Sequence, residues 1–167
     1  RVEWNPDPGV HVRYRLFEES VKYPAVSLGY SSQGFRSYLN ELKRYQYKSS
    51  GFFIAVSKNY ELLGNLGFHG GMNRSMEDGD GDSDINLFIG LDKSINPEIT
   101  LLCEYDFALN DNSDNSLGSG KGYLNAGLRW TFVRRLQIEF DFVNILGNRK
   151  ETPVSSREIK IVYYEYF

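Results

Sequence analysis

A single cysteine, Cys103, leaves the chain without an internal disulfide or a thiolate-built metal cluster. No run approaches the ~20 consecutive apolar residues that a membrane helix requires, so helical membrane proteins are excluded while strand-built spans stay open. No charge of one sign dominates: 19 Lys+Arg stand against 22 Asp+Glu, for a net −3. That balance gives nucleic acid no electrostatic footprint, and nucleic acid is not an expected partner. Only two histidines occur, and no GxSxG motif accompanies them. Neither an initiator methionine nor a signal peptide opens the chain at Arg1, which is read as a processed chain or a piece of a longer one. What is present argues for a folded domain: 167 residues, 41% hydrophobic and 15% aromatic, with 12 Tyr and 11 Phe, are too rich in large side chains for disorder.

About nine runs of the chain alternate apolar with polar residues, the two-residue period of strands whose faces meet unlike surroundings. One face carries Val12, Tyr14 and Leu16; Leu28 and Tyr30; Phe52, Ile54 and Val56; Phe68 and Met72; Leu87, Ile89 and Leu91; Leu101, Cys103 and Tyr105; Leu128, Trp130 and Phe132; Ile138, Phe140 and Phe142; and Ile159, Ile161 and Tyr163. No charge interrupts it in the first eight runs. The other face is polar and charged in both signs: Arg13, Arg15, Ser57, His69, Asp92, Glu104, Asp106, Asn125, Arg129, Glu139, Asp141 and Lys160, interspersed with Gly29, Gly67, Gly90 and Gly127.

The links between runs alternate in length. Short ones fall at 18–23, 59–62, 93–97 and 133–135; long ones at 31–50, 73–83, 110–120 and 146–156. Tight turns on one side and long loops on the other characterise a transmembrane antiparallel up-and-down β-barrel of the bacterial outer membrane, in which strands of ~9–11 residues cross when tilted. Such barrels have even strand numbers in single bacterial chains, so nine visible strands predict the C-terminal part of a barrel of ten or more, in one domain over 1–167. A soluble lipocalin-like ligand-binding barrel would alternate as well, with its apolar face turned inward. The breadth of the apolar face in nearly every strand and the mixed charges opposite it favour lipid.

The final stretch REIKIVYYEYF (157–167) resembles the C-terminal assembly signal of bacterial outer-membrane barrels, with Ile159, Ile161, Tyr163 and Phe167 on its face and Glu165 departing from the pattern. The stretches PAVSLGY (24–30), GFFIAVSKNY (51–60) and LGFHGG (66–71) resemble the YjbH-type barrel proteins associated with exopolysaccharide export. These resemblances imply outer-membrane lipids and the barrel assembly machinery as partners, with other envelope proteins or surface polysaccharide at the outer loops.

Several constellations bear on chemistry. In the acidic run 77–84 (EDGDGDSD), Asp78, Asp80, Asp82 and Asp84 are spaced as Ca²⁺ ligands are, although an EF-hand loop from Asp78 would need Gly and Glu where Ser83 and Ile89 stand. That run reads as a solvated outer loop, with weak divalent-cation bridging to lipopolysaccharide phosphates as the alternative, and the Asn/Ser/Gly run 110–120 reads as a long outer loop. His69, with Ser57, Ser75 and Glu104 as partners by type, offers an outer-membrane hydrolase reading that no motif supports, and a structural histidine is preferred. Arg13, Arg15, His69, Glu104, Asp106, Arg129, Glu139, Asp141 and Lys160 are read as a lumenal network, either packed into ion pairs or lining a passive, porin-like channel. Residues 35–47 are expected to form either a short helix or plug, since Leu39, Leu42 and Tyr45 or Gln46 recur at helical spacing, or an irregular loop. The expectation is a non-enzymatic envelope protein without cofactor.

Overall fold

The computed structural model describes residues 8–132, 135–151 and 154–165. Eleven strands and no helix are found among them: β1 (His11–Phe17), β2 (Ala25–Ser31), β3 (Phe35–Leu39), β4 (Arg44–Tyr47), β5 (Gly51–Glu61), β6 (Asn65–Ser75), β7 (Ile85–Ser94), β8 (Ile99–Asp106), β9 (Tyr123–Phe132), β10 (Leu136–Val143) and β11 (Ser156–Tyr163). Nine make one sheet in the order β1-β2-β5-β6-β7-β8-β9-β10-β11, every neighbour antiparallel; β3 and β4 pair only with each other. The two-residue period thus locates all nine long strands. Closure fails: among the described residues β1 and β11 are edges with one neighbour each, and no Cα of one comes within 8 Å of the other.

Cross-strand partners share a face, and the register sorts the side chains as the alternation predicts. Leu28, Ile54 and Met72 stand on one side, as do Leu91, Cys103, Ala126 and Phe142. Glu139 with Lys160, and Glu104 with Asn125, stand on the other. Two details differ from expectation. A bulge in β1 places Phe17 opposite Val26, where strict alternation would have put Leu16. Lys58, Arg74 and Lys93 share the apolar face, each near one end of it, through their partners Phe68, Ile85 and Leu66.

The apolar face does not pack into a core. Phe52, Ile89, Phe142 and Ile161 are 62%, 53%, 51% and 69% exposed, and among the described residues the buried hydrophobic ones are only Ala108 and Tyr123. The polar face instead curls around one cavity of about 760 Å³, to which Arg13 of β1 and Lys160 of β11 both contribute from opposite edges of the sheet.

Inward glycines let large neighbours lie flat on this surface. A Cβ at Gly29 would fall 2.1 Å from the Phe53 ring, and one at Gly127 would fall 2.3 Å from Asp141 Oδ1.

The ends of the sheet differ as the link lengths imply. At one end, β5 and β6 are joined by residues 62–64, with Leu63 and Gly64 both left-handed at φ +48° and +97°. Gly64 takes that conformation without steric cost. At the other end lie the four long connections, β2–β5, β6–β7, β8–β9 and β10–β11, which together form a cap.

Candidate functional site

The long connection between β2 and β5 is a β-hairpin. Residues 35–47 are neither helix nor plain loop: Leu39 pairs with Arg44 and Phe35 with Tyr47, the turn between them passing through Lys43 at φ +47°. Tyr38 and Tyr45 meet edge to face at 5.0 Å, a cross-strand contact that a helix would have separated. The hairpin reaches across the mouth of the cavity. Tyr47 packs on Tyr123 of β9 at 4.9 Å, Arg149 stacks over the Tyr47 ring at 4.7 Å, and Arg36 pairs with Glu158 of β11 at 3.2 Å.

Beneath it sits a buried ionic cluster. Arg44 Nη1 donates to Asp80 Oδ2 and to Asp111 Oδ1, each at 2.5 Å, and Arg44 has no exposed surface. Lys48 Nζ donates to Asp80 Oδ1 at 2.7 Å and to the carbonyls of Asp82 and Asn110 at 2.8 and 2.7 Å. Two cations stand among four buried carboxylates and pair with only two of them, Asp80 and Asp111, so main-chain and hydroxyl donors supply the rest. Glu77 accepts from the Tyr45, Ser49 and Ser50 N–H groups, Asp82 from those of Asn112 and Ser113, and Asp111 from the Tyr123 hydroxyl at 2.6 Å. Charge-assisted bonds of this kind offset the desolvation that an unpaired buried carboxylate would suffer. Burial pushes the Asp80 carboxyl up, but Lys48, the Asp82 N–H and Arg44 outweigh it and hold it below the usual carboxylate range. Asp82 behaves alike: burial raises it, and the Asn112, Ser113 and Asp84 N–H groups bring it below its ordinary value.

This arrangement corrects the reading of 77–84 as a solvated loop and shows that the loop 110–120 is partly buried as well. Glu77, Asp80, Asp82, Asn110, Asp111 and Ser116 are all at most 5% exposed. The alternate spacing divides the acidic run between two environments, with Asp80 turned onto Arg44 and Lys48, Asp82 onto main-chain and hydroxyl donors, and Asp78 and Asp84 in solvent. Among the described residues no three His, Cys, Asp or Glu side chains converge as a metal ion would need.

The cavity brings most of the expected lumenal network together in pairs and one larger group. Glu139 accepts from Arg129 Nε at 2.7 Å and from Lys160 at 2.9 Å, and Lys160 also lies 2.8 Å from Asp141. Glu104 accepts from Asn125 at 3.1 Å. Asp106 turns toward the cap, accepting from Asn86 at 2.8 Å. His69 Nε2 lies 2.5 Å from Asp92 Oδ1, and Arg13 donates to Ser27 at 2.9 Å. Arg15 has no carboxylate partner among the described residues. Ser57 is the register partner of His69, yet no hydrogen bond joins their side chains, and Ser75 is held by Ser50 and Glu77 in the cap. Of the expected assembly signal, Ile159, Ile161 and Tyr163 share the exposed apolar face, while Phe167 lies outside the described residues.

Sequence reasoning missed Arg44, Lys48 and Asp111 altogether, since their partners lie 36, 32 and 67 residues away. The tyrosine-rich hairpin was the available signal: alternate Phe35 and Tyr47 flank it, and basic residues stand inside it next to an acidic run. Comparison with known protein families, curated proteins and solved structures returned no match.

Proposed function

We propose that the chain forms wall and cap of a β-barrel in the bacterial outer membrane, a non-enzymatic envelope protein whose capped end meets surface polysaccharide or neighbouring envelope proteins. One observation carries this reading: burial is inverted. Thirteen polar or charged residues are buried among the described residues against two hydrophobic ones, while branched and aromatic side chains stand exposed along all nine strands. Monomeric soluble proteins rarely leave contiguous apolar patches beyond a few hundred Å² in water. Lipid tails are the solvent for which such a face is suited, and a polar interior is its normal companion. The ends of the face agree: Lys58, Tyr60 and Lys93 at one, Tyr30 and Arg74 at the other are residues suited to headgroups.

Cell fractionation tests this directly. The protein is expected in outer membranes after alkaline carbonate washing; recovery in the soluble fraction sinks the proposal and restores the lipocalin-like barrel. A conducting, porin-like role fits less well, because the hairpin and its ion pairs lie across one mouth of the cavity.

A further inference from the structure

Charge is divided unequally between the two sides of the sheet. In the nine-stranded sheet the register places Lys58, Arg74, Lys93 and Arg157 on the apolar side, through their partners Phe68, Ile85, Leu66 and Phe142. Among the described residues every carboxylate of those strands falls on the cavity side: Asp92, Glu104, Asp106, Glu139, Asp141 and Glu158, with Glu61 at the end of β5. A chain of net −3 thus turns only cations outward from its strands.

The cations stand in two rows. Arg74 is the partner of Phe52, so six residues of β5 separate it from Lys58. At ~3.3 Å per residue and a tilt of ~40° that is about 15 Å of height, which the long stems extend at both ends toward the ~25 Å of a lipid-facing band. Between the rows the outward side carries no charge among the described residues.

The rows differ in what holds them. At the turn end Lys58 Nζ donates to the Ser20 and Val21 carbonyls, and Lys93 Nζ donates to those of Leu62 and Leu63 at 2.7 Å each. These ammonium groups close turns. At the cap end the exposed Arg74 guanidinium makes neither hydrogen bond nor ion pair among the described residues. Phe52 and Ile85 flank it in register on both neighbouring strands, and Tyr30 packs on Phe52 at 5.0 Å. Arg157 is equally unpartnered, but β11 has a described neighbour on one side only, so Arg74 alone is framed on both.

We infer that Arg74 binds the phosphate of a lipid in the leaflet at the capped end, with the acyl chains lying against the exposed register pair Met72 and Leu87 beside it. This rests on the membrane reading and deepens it by naming the headgroup chemistry. A guanidinium fork matches phosphate oxygens in pairs, and here no carboxylate of the protein occupies it. The aromatic and aliphatic frame around the charge suits an anion that carries acyl chains, which a dissolved anion does not.

The test uses the protein extracted from membranes in a non-ionic detergent. It is titrated with dioleoyl phosphatidic acid and, separately, with the diacylglycerol of the same chains, bound lipids being counted by native mass spectrometry. Phosphatidic acid is expected to bind about tenfold more tightly, and Arg74→Gln to remove that preference, as loss of one charge-assisted contact would. Arg74→Met, which suits a lipid-facing position, serves in its place if Arg74→Gln fails to fold. Lys58→Gln is expected to leave the preference unchanged, because its ammonium is held by carbonyls. Equal binding of the two lipids, or an undiminished preference in the Arg74 variant, would overturn the inference. So would an equal loss in Lys58→Gln, which would make the attraction a general one, or displacement of the lipid by millimolar inorganic phosphate, which would mean a free-anion site. The membrane reading fails separately: a protein recovered soluble loses both, whereas a membrane-embedded protein with equal affinity for the two lipids loses only this site.

Discussion

Arg44 and Asp80 lie 36 residues apart in the chain, yet their side chains meet at 2.5 Å with neither exposed to solvent. The same guanidinium nitrogen holds Asp111, so one side chain on a hairpin ties together the connections β6–β7 and β8–β9. Removing one partner of a buried ion pair leaves the others uncompensated, at about 3–5 kcal/mol. Arg44→Ala is therefore expected to release the cap, measured as protease cleavage within 76–84 and 107–122 with the nine long strands intact. Arg44→Lys keeps a charge but has one nitrogen to share, and should fall between. Unchanged cleavage in Arg44→Ala would mean that the cluster does not hold the cap.

Acid should open the same cap. Asp80 and Asp82 are held below their ordinary values by Lys48 and by main-chain donors, net of burial. A carboxyl with a depressed folded-state pKa contributes stability that is complete above its unfolded value, about 3.9, and disappears as pH falls through the lower folded value. Docking is expected to persist down to about pH 4 and to weaken below it, read as hydrogen exchange in loop peptides after correction for intrinsic rates. Asp80→Asn should remove much of the acid dependence. Opening between pH 5 and 7 would contradict this assignment.

The strands were legible because one face is apolar and the other polar, and a period of two then shows through single residues such as Leu128 beside Arg129. Link lengths were legible for the same reason. The hairpin at 35–47 was not, because Leu39, Leu42 and Tyr45 satisfy a helical period while Phe35, Tyr45 and Tyr47 satisfy a strand contact only once the turn at Lys43 is known. The cluster was illegible for a further reason. EDGDGDSD has the composition of a solvated loop, and only the arrival of Arg44 and Lys48 from another connection makes burial of Asp80 affordable. The cavity network lies between these cases: alternation placed Glu139 and Lys160 inward, but their pairing depended on the β10–β11 register.

Position of the hairpin also predicts electrical behaviour. With Tyr47, Arg36 and Arg149 spanning the mouth, planar-bilayer recordings should show little conductance from the intact protein. Arg44→Ala should raise the frequency or size of openings. Large, steady steps in the unaltered protein would favour the channel reading.

The cavity pairs should matter less than the cap. Glu139 bridges Arg129 and Lys160, but those side chains are 39% and 55% exposed, so water competes with the pairing. Solvated pairs contribute roughly 0–1 kcal/mol, and Lys160 retains Asp141 when Glu139 is neutralised. Glu139→Gln is expected to shift the urea midpoint only slightly. A loss above about 3 kcal/mol would place this group in a dry interior, where a broken pair is costly.

The sharpest test concerns the outward face. Ile89 and Leu128 are 53% and 37% exposed in the middle reaches of β7 and β9. In water, substituting such positions changes stability by about 0.5 kcal/mol or less. In a bilayer midplane an arginine on the lipid side of a barrel costs about 2–4 kcal/mol. Ile89→Arg and Leu128→Arg, measured by urea titration of protein folded into phospholipid vesicles, should each show the larger loss, with Gln137→Arg on the cavity side as the mild control. Three equal, small effects would mean that water meets both faces of the sheet, because only a hydrocarbon solvent makes the neighbouring positions Leu128 and Arg129 respond oppositely to charge.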